Sequence, residues 1–388
     1  MKINGLLHGL AAVALTQTAC LHYEDTLPFE REAWANEMPA EQYYDIYSSG
    51  KRKNAVPLEE VFVEASLDTL PFPIINEQIA EALKSQLEVF RHRPLKGKFH
   101  KGQAGFSQKD LEKAIEILLE YRSNPVKAKE RLKAYQIWGG DQKGHVKFTG
   151  YYTPSLKVSS VPDSIYHHPF YRKPASWEGP LPTRRQIDAE GALDSLGLEI
   201  AYAADPVDVY YTHLQGSGMV EFADTGEKRL LVYEGSNKQP YRSIEQFLKR
   251  ESGMGVEDVS IFGIKRLVRN QPEMRDSVLL VNPSYSFFRL EKKTVTGAGQ
   301  VPLMEDVSVA VDKRYFPLGS TLLAAVPIYN KKGEVTHHEF RILLAQDVGG
   351  AIRGPGHMDM YSGTGLEGQR KAGKRMHYGM VWLLLPAR

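Results

Sequence analysis

Ala345 to Gly365 reads AQDVGGAIRGPGHMDMYSGTG. The apolar run Ile342 to Ala345 predicts a buried strand that carries Asp347 to its end. Gly349, Gly350, Gly354, Pro355 and Gly356 follow, a density that calls for tight turns or a close backbone approach to a ligand. In His357-Met358-Asp359-Met360-Tyr361 strict alternation places His357, Asp359 and Tyr361 on one strand face and both methionines on the other. Asp359 then shares a face with two hydrogen-bonding, sugar-stacking side chains and has apolar neighbours. A carboxyl so placed, with a second acid near it, can have a raised pKa and act as a general acid. The same letters also suit a turn-starting Asp347 and a solvated Asp359, and the pattern alone does not separate the two readings.

Working outward, segments rich in Val, Tyr, Phe and Thr between Gly, Pro, Asn and Asp dominate from about Gly144 onward. Strands are expected at Val146 to Tyr152, Val207 to Leu214, Lys228 to Glu234, Ser284 to Leu290, Val307 to Val311, Leu322 to Tyr329, Glu339 to Gln346, His357 to Tyr361 and Met380 to Leu385. Helices gather nearer the N-terminus. Asn76 opens one with Ile79, Leu83, Leu87 and Phe90 on one face, ended by Pro94 and Gly97. Ser107 with Asp110 opens a second through Leu111, Ile115 and Leu118, closed by Asn124 and Pro125. A third starts at Ser243 and Gln246. The architecture expected is α+β, mainly β, with antiparallel or barrel-like sheets.

The chain has 388 residues, 42% hydrophobic and 25% charged, an ordinary globular composition. Its 49 lysines and arginines against 47 acids leave a formal charge of +2, which offers no electrostatic case for a nucleic-acid partner. Residues 1–20, MKINGLLHGLAAVALTQTAC, read as a secretory signal with one early Lys and an apolar run too short to cross a bilayer, which takes roughly 20 apolar residues. Cys20 is the chain's single cysteine, so no internal disulfide can form. Its place after Thr18 and Ala19 resembles a bacterial lipobox, with Gln17 where Leu is usual. Acylation there would anchor the mature N-terminus to a membrane. Leu21, where a retained inner-membrane lipoprotein carries Asp, favours the outer membrane facing the periplasm.

Neither a His/Glu metal run, a phosphate-cradling glycine loop nor a Gly-x-Ser-x-Gly elbow occurs, so no metal and no cofactor are expected. Tyr151 and Tyr152 alternate across a strand, so one should line a groove and the other pack. Gln215 and Ser217 lie in a glycine-flanked turn that could offer hydrogen bonds to a ligand or be purely structural. Trp138 and Trp382 read as core residues, and Arg353 as a partner for Asp347 or for a peptide carboxylate, or as plain exposed surface.

Further motifs carry a resemblance. Asp347-Val348-Gly349-Gly350, the Asp359-Met360-Tyr361 strand and Gly363-Thr364-Gly365 resemble the three-aspartate domain of the membrane-bound lytic murein transglycosylase A family. Val309-Ala310-Val311-Asp312 with Phe316 to Leu322 is similar to that domain's first aspartate segment. Phe148 to Pro154, Leu214 to Gly218, Tyr233 to Asn237 and Pro240 to Ile244 agree in the family's order. The resemblance implies a double-psi β-barrel catalytic domain with an inserted second β-barrel-like domain and N-terminal helices. The expected division is a lipoprotein signal (1–20), N-terminal helices with the first part of the catalytic domain (21–154), an inserted β domain (155–280), and the second part of the catalytic domain (281–388).

The family's catalytic acid and base maps to Asp359, with Asp347 and Asp312 in supporting positions, and Thr149, Tyr151, Tyr152, Gln215, Ser217 and Tyr361 as substrate-binding candidates. The implied activity is a murein lyase of the exotransglycosylase type, cleaving peptidoglycan glycan strands without water to leave 1,6-anhydromuramoyl ends. Other cell-wall enzymes are the expected protein partners. Two rival readings stay open on the residues: a glycoside hydrolase using Asp359 with Asp347 or Asp312 as second carboxyl, and a non-catalytic peptidoglycan-binding lipoprotein.

Overall fold

The computed structural model describes residues 61–139, 144–251, 261–292, 294–330 and 335–387. Cys20 and the signal lie outside the described residues. In chain order the elements are β1 (Phe62–Ala65), α1 (Glu77–His92), β2 (Lys98–Lys101), β3 (Ala104–Ser107), α2 (Gln108–Glu120), α3 (Pro125–Arg131), β4 (Leu132–Ile137), β5 (Val146–Thr153), β6 (Ser155–Ser159) and β7 (His168–Tyr171). Then come α4 (Arg184–Asp188), β8 (Glu199–Ala203), α5 (Pro206–Gln215), β9 (Ser217–Phe222), β10 (Lys228–Ser236), α6 (Ile244–Glu251), α7 (Ile261–Asn270), α8 (Met274–Leu279) and β11 (Ser286–Glu291). The chain ends with β12 (Ser308–Ala310), β13 (Thr321–Tyr329), β14 (Val335–Asp347), β15 (His357–Thr364), α9 (Gly365–Ala372) and β16 (Met376–Pro386).

Six strands close on themselves in the order β5, β15, β12, β14, β13, β16 and back to β5. Two of the contacts, β5 with β15 and β12 with β14, are parallel, and the rest are antiparallel. Closure depends on β16 changing partners along its length. Its first residues, Met376 to Gly379, pair with β5, and its last, Trp382 to Pro386, pair with β4, beyond which β1 forms the edge. Gly379 sits at the change of partner, where a Cβ would lie 2.1 Å from the Ala325 carbonyl oxygen. Only glycine admits that approach.

Near-continuous apolar strands fill the barrel. Leu322, Leu323, Leu343, Leu344, Leu383 and Leu384 are fully buried, as are Met358 and Met360. Each such side chain stabilises the fold by about 1.5–3 kcal/mol relative to exposure. Helices α1 and α2 cover the barrel with Leu83, Phe90, Leu111, Ile115 and Leu118. Both start as their sequences require: the Asn76 side chain accepts from the Ile79 amide, and Ser107 with Asp110 makes a reciprocal capping box. Trp382 is buried and stacks on Phe340 at 5.9 Å, and the Trp138 indole nitrogen is buried as well. Among the described residues no helix is long and apolar enough to cross a membrane.

The second sheet has the order β11, β10, β9, β6, β8, β7. Its edges curl towards each other, bringing Phe170 of β7 within 5.8 Å of Phe288 of β11, so this barrel is nearly closed. It leaves the first barrel through Pro154 and returns before β12.

Several sequence expectations need correction. Val207 to Leu214, expected as a strand for its β-branched and aromatic residues, lies in helix α5. Local signals override the propensity: Asp205 caps the Val207 amide, Pro206 occupies the first turn, and Gly216 ends the helix with φ +73°. Asn124 and Pro125 end α2 but also open α3, with Asn124 accepting from the Lys127 amide. Strands β1 and β4 occur within the region expected to be helical, and helices α7, α8 and α9 occur within the region expected to be strands.

Candidate active site

Strand β15 delivers His357, Asp359 and Tyr361 to the face opposite the buried methionines, as the alternation requires. Parallel pairing with β5 then sets Lys147 beside His357, Thr149 beside Asp359 and Tyr151 beside Tyr361. Thr149 Oγ1 donates to Asp359 Oδ1 at 2.7 Å and lies 2.8 Å from His357 Nε2. The Tyr151 and Tyr361 rings pack 5.3 Å apart.

Asp347 arrives from the end of β14, next to β12 through pairing with Ala310. Three donors hold it: the amides of Ala298 (2.8 Å) and Val348 (2.9 Å) on Oδ1, and the Tyr151 hydroxyl (2.9 Å) on Oδ2. Burial pushes the Asp347 carboxyl up, and those hydrogen bonds oppose the shift. Burial also pushes Asp359 up, to about 6; the Thr149 hydrogen bond pulls it down, and the charge of Asp347 adds to the rise. Two neighbouring carboxyls in one buried site affect each other's titration. The three donors favour the charged form of Asp347, so Asp359 is the member that takes the proton first.

Asp312 does not join this pair. It lies just past β12, where Arg314 binds both its oxygens (Nε to Oδ1 2.9 Å) and the Gly354 amide donates to Oδ2 at 2.9 Å. The Arg314 and Gly354 hydrogen bonds outweigh burial and hold its carboxyl below the usual range. Its contacts tie β12 to the glycine-rich turn between β14 and β15. The presence of Arg314 two residues after Asp312 was the signal in the sequence for this arrangement.

The other candidates divide. Tyr151 reaches the carboxyl pair. Tyr152 points away and is buried, and its amide donates to Gln215 Oε1 at 3.1 Å, so Gln215 ties α5 to the first barrel. Ser217 begins β9 opposite Val232 and is half-buried. Tyr361 is only 3% exposed and packs with Leu230 of the second barrel, while its hydroxyl lies 3.1 Å from Thr153 Oγ1. Tyr152 and Tyr361 therefore shape the seam between the barrels and offer little surface to a sugar. Arg353 does not hold Asp347; it donates to the Ile352 carbonyl. His357 was passed over because its link to Asp359 runs through a residue 208 positions away in sequence. Among the described residues no three His, Cys, Asp or Glu side chains converge as a metal site.

Residues 147–289 match the MltA specific insert domain and residues 307–385 the 3D domain. Membrane-bound lytic murein transglycosylase A of Vibrio cholerae is 37% identical over 256 residues, 65% of this chain and 69% of that protein. The Escherichia coli K12 protein of the same name is 38% identical over 260 residues, 66% and 70% of the two chains. Among solved structures, that of Escherichia coli MltA with bound chitohexaose superposes with a TM-score of 0.72 at 30% identity, covering 87% of this chain and 98% of that one. A membrane-bound lytic murein transglycosylase from Agrobacterium tumefaciens gives 0.68 at 25% identity, covering 84% and 98%. The chain belongs to the membrane-bound lytic murein transglycosylase A family.

Proposed function

We propose that this chain cleaves the β-1,4 bond between N-acetylmuramic acid and N-acetylglucosamine in peptidoglycan without water, with Asp359 as both acid and base. As a member of its family it is a peptidoglycan lytic transglycosylase, and the observation that carries the mechanism is the asymmetry of the carboxyl pair. Among the described residues Asp359 has a raised pKa and a single hydrogen-bond donor, on Oδ1, whereas Asp347 is bound by three donors.

Protonated Asp359 donates to the glycosidic oxygen, and the bond from that oxygen to C1 of the muramoyl unit breaks through an oxocarbenium-like transition state. The C6 hydroxyl of the same sugar attacks C1, and its proton passes to the Asp359 carboxylate. The products are a 1,6-anhydro end and a free 4-hydroxyl, with Asp359 protonated again. The nucleophile belongs to the substrate, so effective concentration replaces an activated water. Asp347 keeps the acid's pKa high and faces the developing positive charge. Asp312 holds the turn before β15 in place.

A hydrolase needs its second carboxylate to activate water or attack carbon. Asp347 is poorly suited, because both its oxygens are already bound by donors. The fold of a glycan-bound relative supports a glycan strand as the ligand. The lipobox-like sequence at Cys20 supports a lipid anchor, and Leu21 an outer-membrane address, where other cell-wall enzymes would be neighbours. Thr149, Tyr151, Gln215 and Ser217 line or brace the seam where the strand would lie.

The test is mass analysis of peptidoglycan digested by protein lacking residues 1–20, beside the Asp359→Asn variant. Products lighter by one water than hydrolysed muropeptides, absent with the variant, support the proposal. Reducing-end products would make the protein a hydrolase, and no products from either protein would make it a binding module. Loss of membrane association in Cys20→Ser would support the anchor.

A further inference from the structure

We propose that His357 is a positioning residue for the acid: donating from Nε2 to Thr149 Oγ1, it turns the Thr149 hydroxyl onto Asp359 Oδ1 and confines the catalytic proton to Oδ2. This rests on Asp359 being the acid.

The argument is one of counting hydrogens. A threonine hydroxyl has one hydrogen and two lone pairs, and an ionised carboxylate only accepts. Thr149 Oγ1 lies 2.7 Å from Asp359 Oδ1 and 2.8 Å from His357 Nε2, so both contacts are hydrogen bonds. When Asp359 is ionised, the one hydrogen of Thr149 goes to Oδ1. The second contact then requires a hydrogen on Nε2. Burial and the Lys147 charge hold the His357 ring down to about 3, so at neutral pH it is uncharged and carries a single N–H. That hydrogen is on Nε2, and Nδ1 carries none.

The same tautomer governs the proton that Asp359 takes up. A proton on Oδ1 would point at a Thr149 oxygen whose own hydrogen has nowhere to go, because Nε2 is already a donor. The proton is therefore placed on Oδ2, which accepts no hydrogen bond among the described residues. The reverse polarity, from Asp359 Oδ1 through Thr149 to an unprotonated Nε2, would bury the acid's proton in an internal bond and idle it. Among the described residues the charged or titratable groups facing this chain are Lys147 on β5, Asp347 at the end of β14, Tyr151 on β5, and Arg375 before β16, whose guanidinium is paired with Asp306.

The test uses ring-15N-labelled histidine in the protein from residue 21 onward, with the His357 signal assigned by its loss in His357→Gln. An Nε2–H tautomer at neutral pH is expected, and an Nδ1–H tautomer would overturn the proposal. His357→Leu removes the donor, whereas His357→Gln supplies an amide N–H at a similar reach. Loss of one orienting hydrogen bond predicts about a tenfold fall in kcat for the leucine variant with KM nearly unchanged. Its alkaline limb should move to higher pH, since a Thr149 hydroxyl no longer polarised by the His357 N–H is a weaker donor to the Asp359 carboxylate. The glutamine variant should recover both values. If the leucine variant keeps kcat and limb, or the glutamine variant rescues neither, the proposal fails. A wild-type protein without turnover would defeat the activity reading instead, while the tautomer would still decide the polarity of the chain.

Discussion

The Tyr151 hydroxyl donates to Asp347 Oδ2 at 2.9 Å, and this contact separates the duties of two carboxyls that share one buried site. With two backbone amides on the other oxygen, Asp347 has the donors that favour its charged form against the upward push of burial, and its charge raises the pKa of Asp359.

The first consequence is a pH profile. An acid must be protonated in the free enzyme, so kcat/KM should be highest below pH 6 and fall as pH rises through about 6, the value for Asp359. Initial rates on soluble glycan strands between pH 4 and 8 measure this; a flat profile across that range would remove Asp359 from the acid's role.

Asp359→Asn should cut turnover by about 10²–10⁴-fold, the usual share of general acid catalysis, and yet make the fold more stable at neutral pH. A carboxyl whose folded pKa lies above its unfolded value contributes stability below the unfolded pKa, and loses it as pH rises to the folded pKa. For Asp359 that window runs from 3.8 to about 6, and the neutral-pH penalty has an upper bound of roughly 3 kcal/mol. A thermal melt at pH 7 should place the variant a few degrees above wild type. A lower Tm would contradict this burial cost.

Asp347→Asn removes the negative neighbour and leaves the donors in place. The Asp359 pKa should fall, moving the alkaline limb down by about half to one unit, with kcat also reduced. An unmoved limb would mean that burial alone sets the acid's pKa.

Asp312→Ala should behave differently. It releases Arg314 and the Gly354 amide, so stability should drop by about 1–3 kcal/mol, seen in urea titrations. Asp312 does not touch Asp359, and the alkaline limb should therefore stay where it is. A shifted limb with unchanged stability would place Asp312 in the acid–base pair after all.

Gly379→Ala should be among the most damaging single changes in the barrel. The new Cβ meets backbone at 2.1 Å, which no side-chain rotation relieves, and it lies where β16 passes from β5 to β4. A loss of more than about 3 kcal/mol or outright failure to fold is expected, checked by denaturant unfolding.

Much of this was legible in the sequence because it follows from local periodicity. Alternation in His357 to Tyr361 put both methionines in the core and Asp359 on the other face, and caps at Asn76 and Ser107 marked the starts of two helices. Val207 to Leu214 misled for the opposite reason: strand-like side chains were overruled by an Asp-Pro start and a glycine stop. Whether Tyr152 and Tyr361 would meet a sugar or support a seam was a question about what packs over them, and the second barrel supplies that cover.

The sequence by itself determined the strand faces, the helix caps, the order of the three aspartates and, through their motifs, the family. Those are properties of neighbours along the chain, where spacing fixes direction. Tertiary structure alone decided how the two carboxyls differ, because the partners of Asp347 come from positions 151, 298 and 348, and those of Asp359 and His357 meet at Thr149, far away in sequence. A pKa depends on burial and on charges in space, and parallel pairing of β5 with β15 is what brings those groups together.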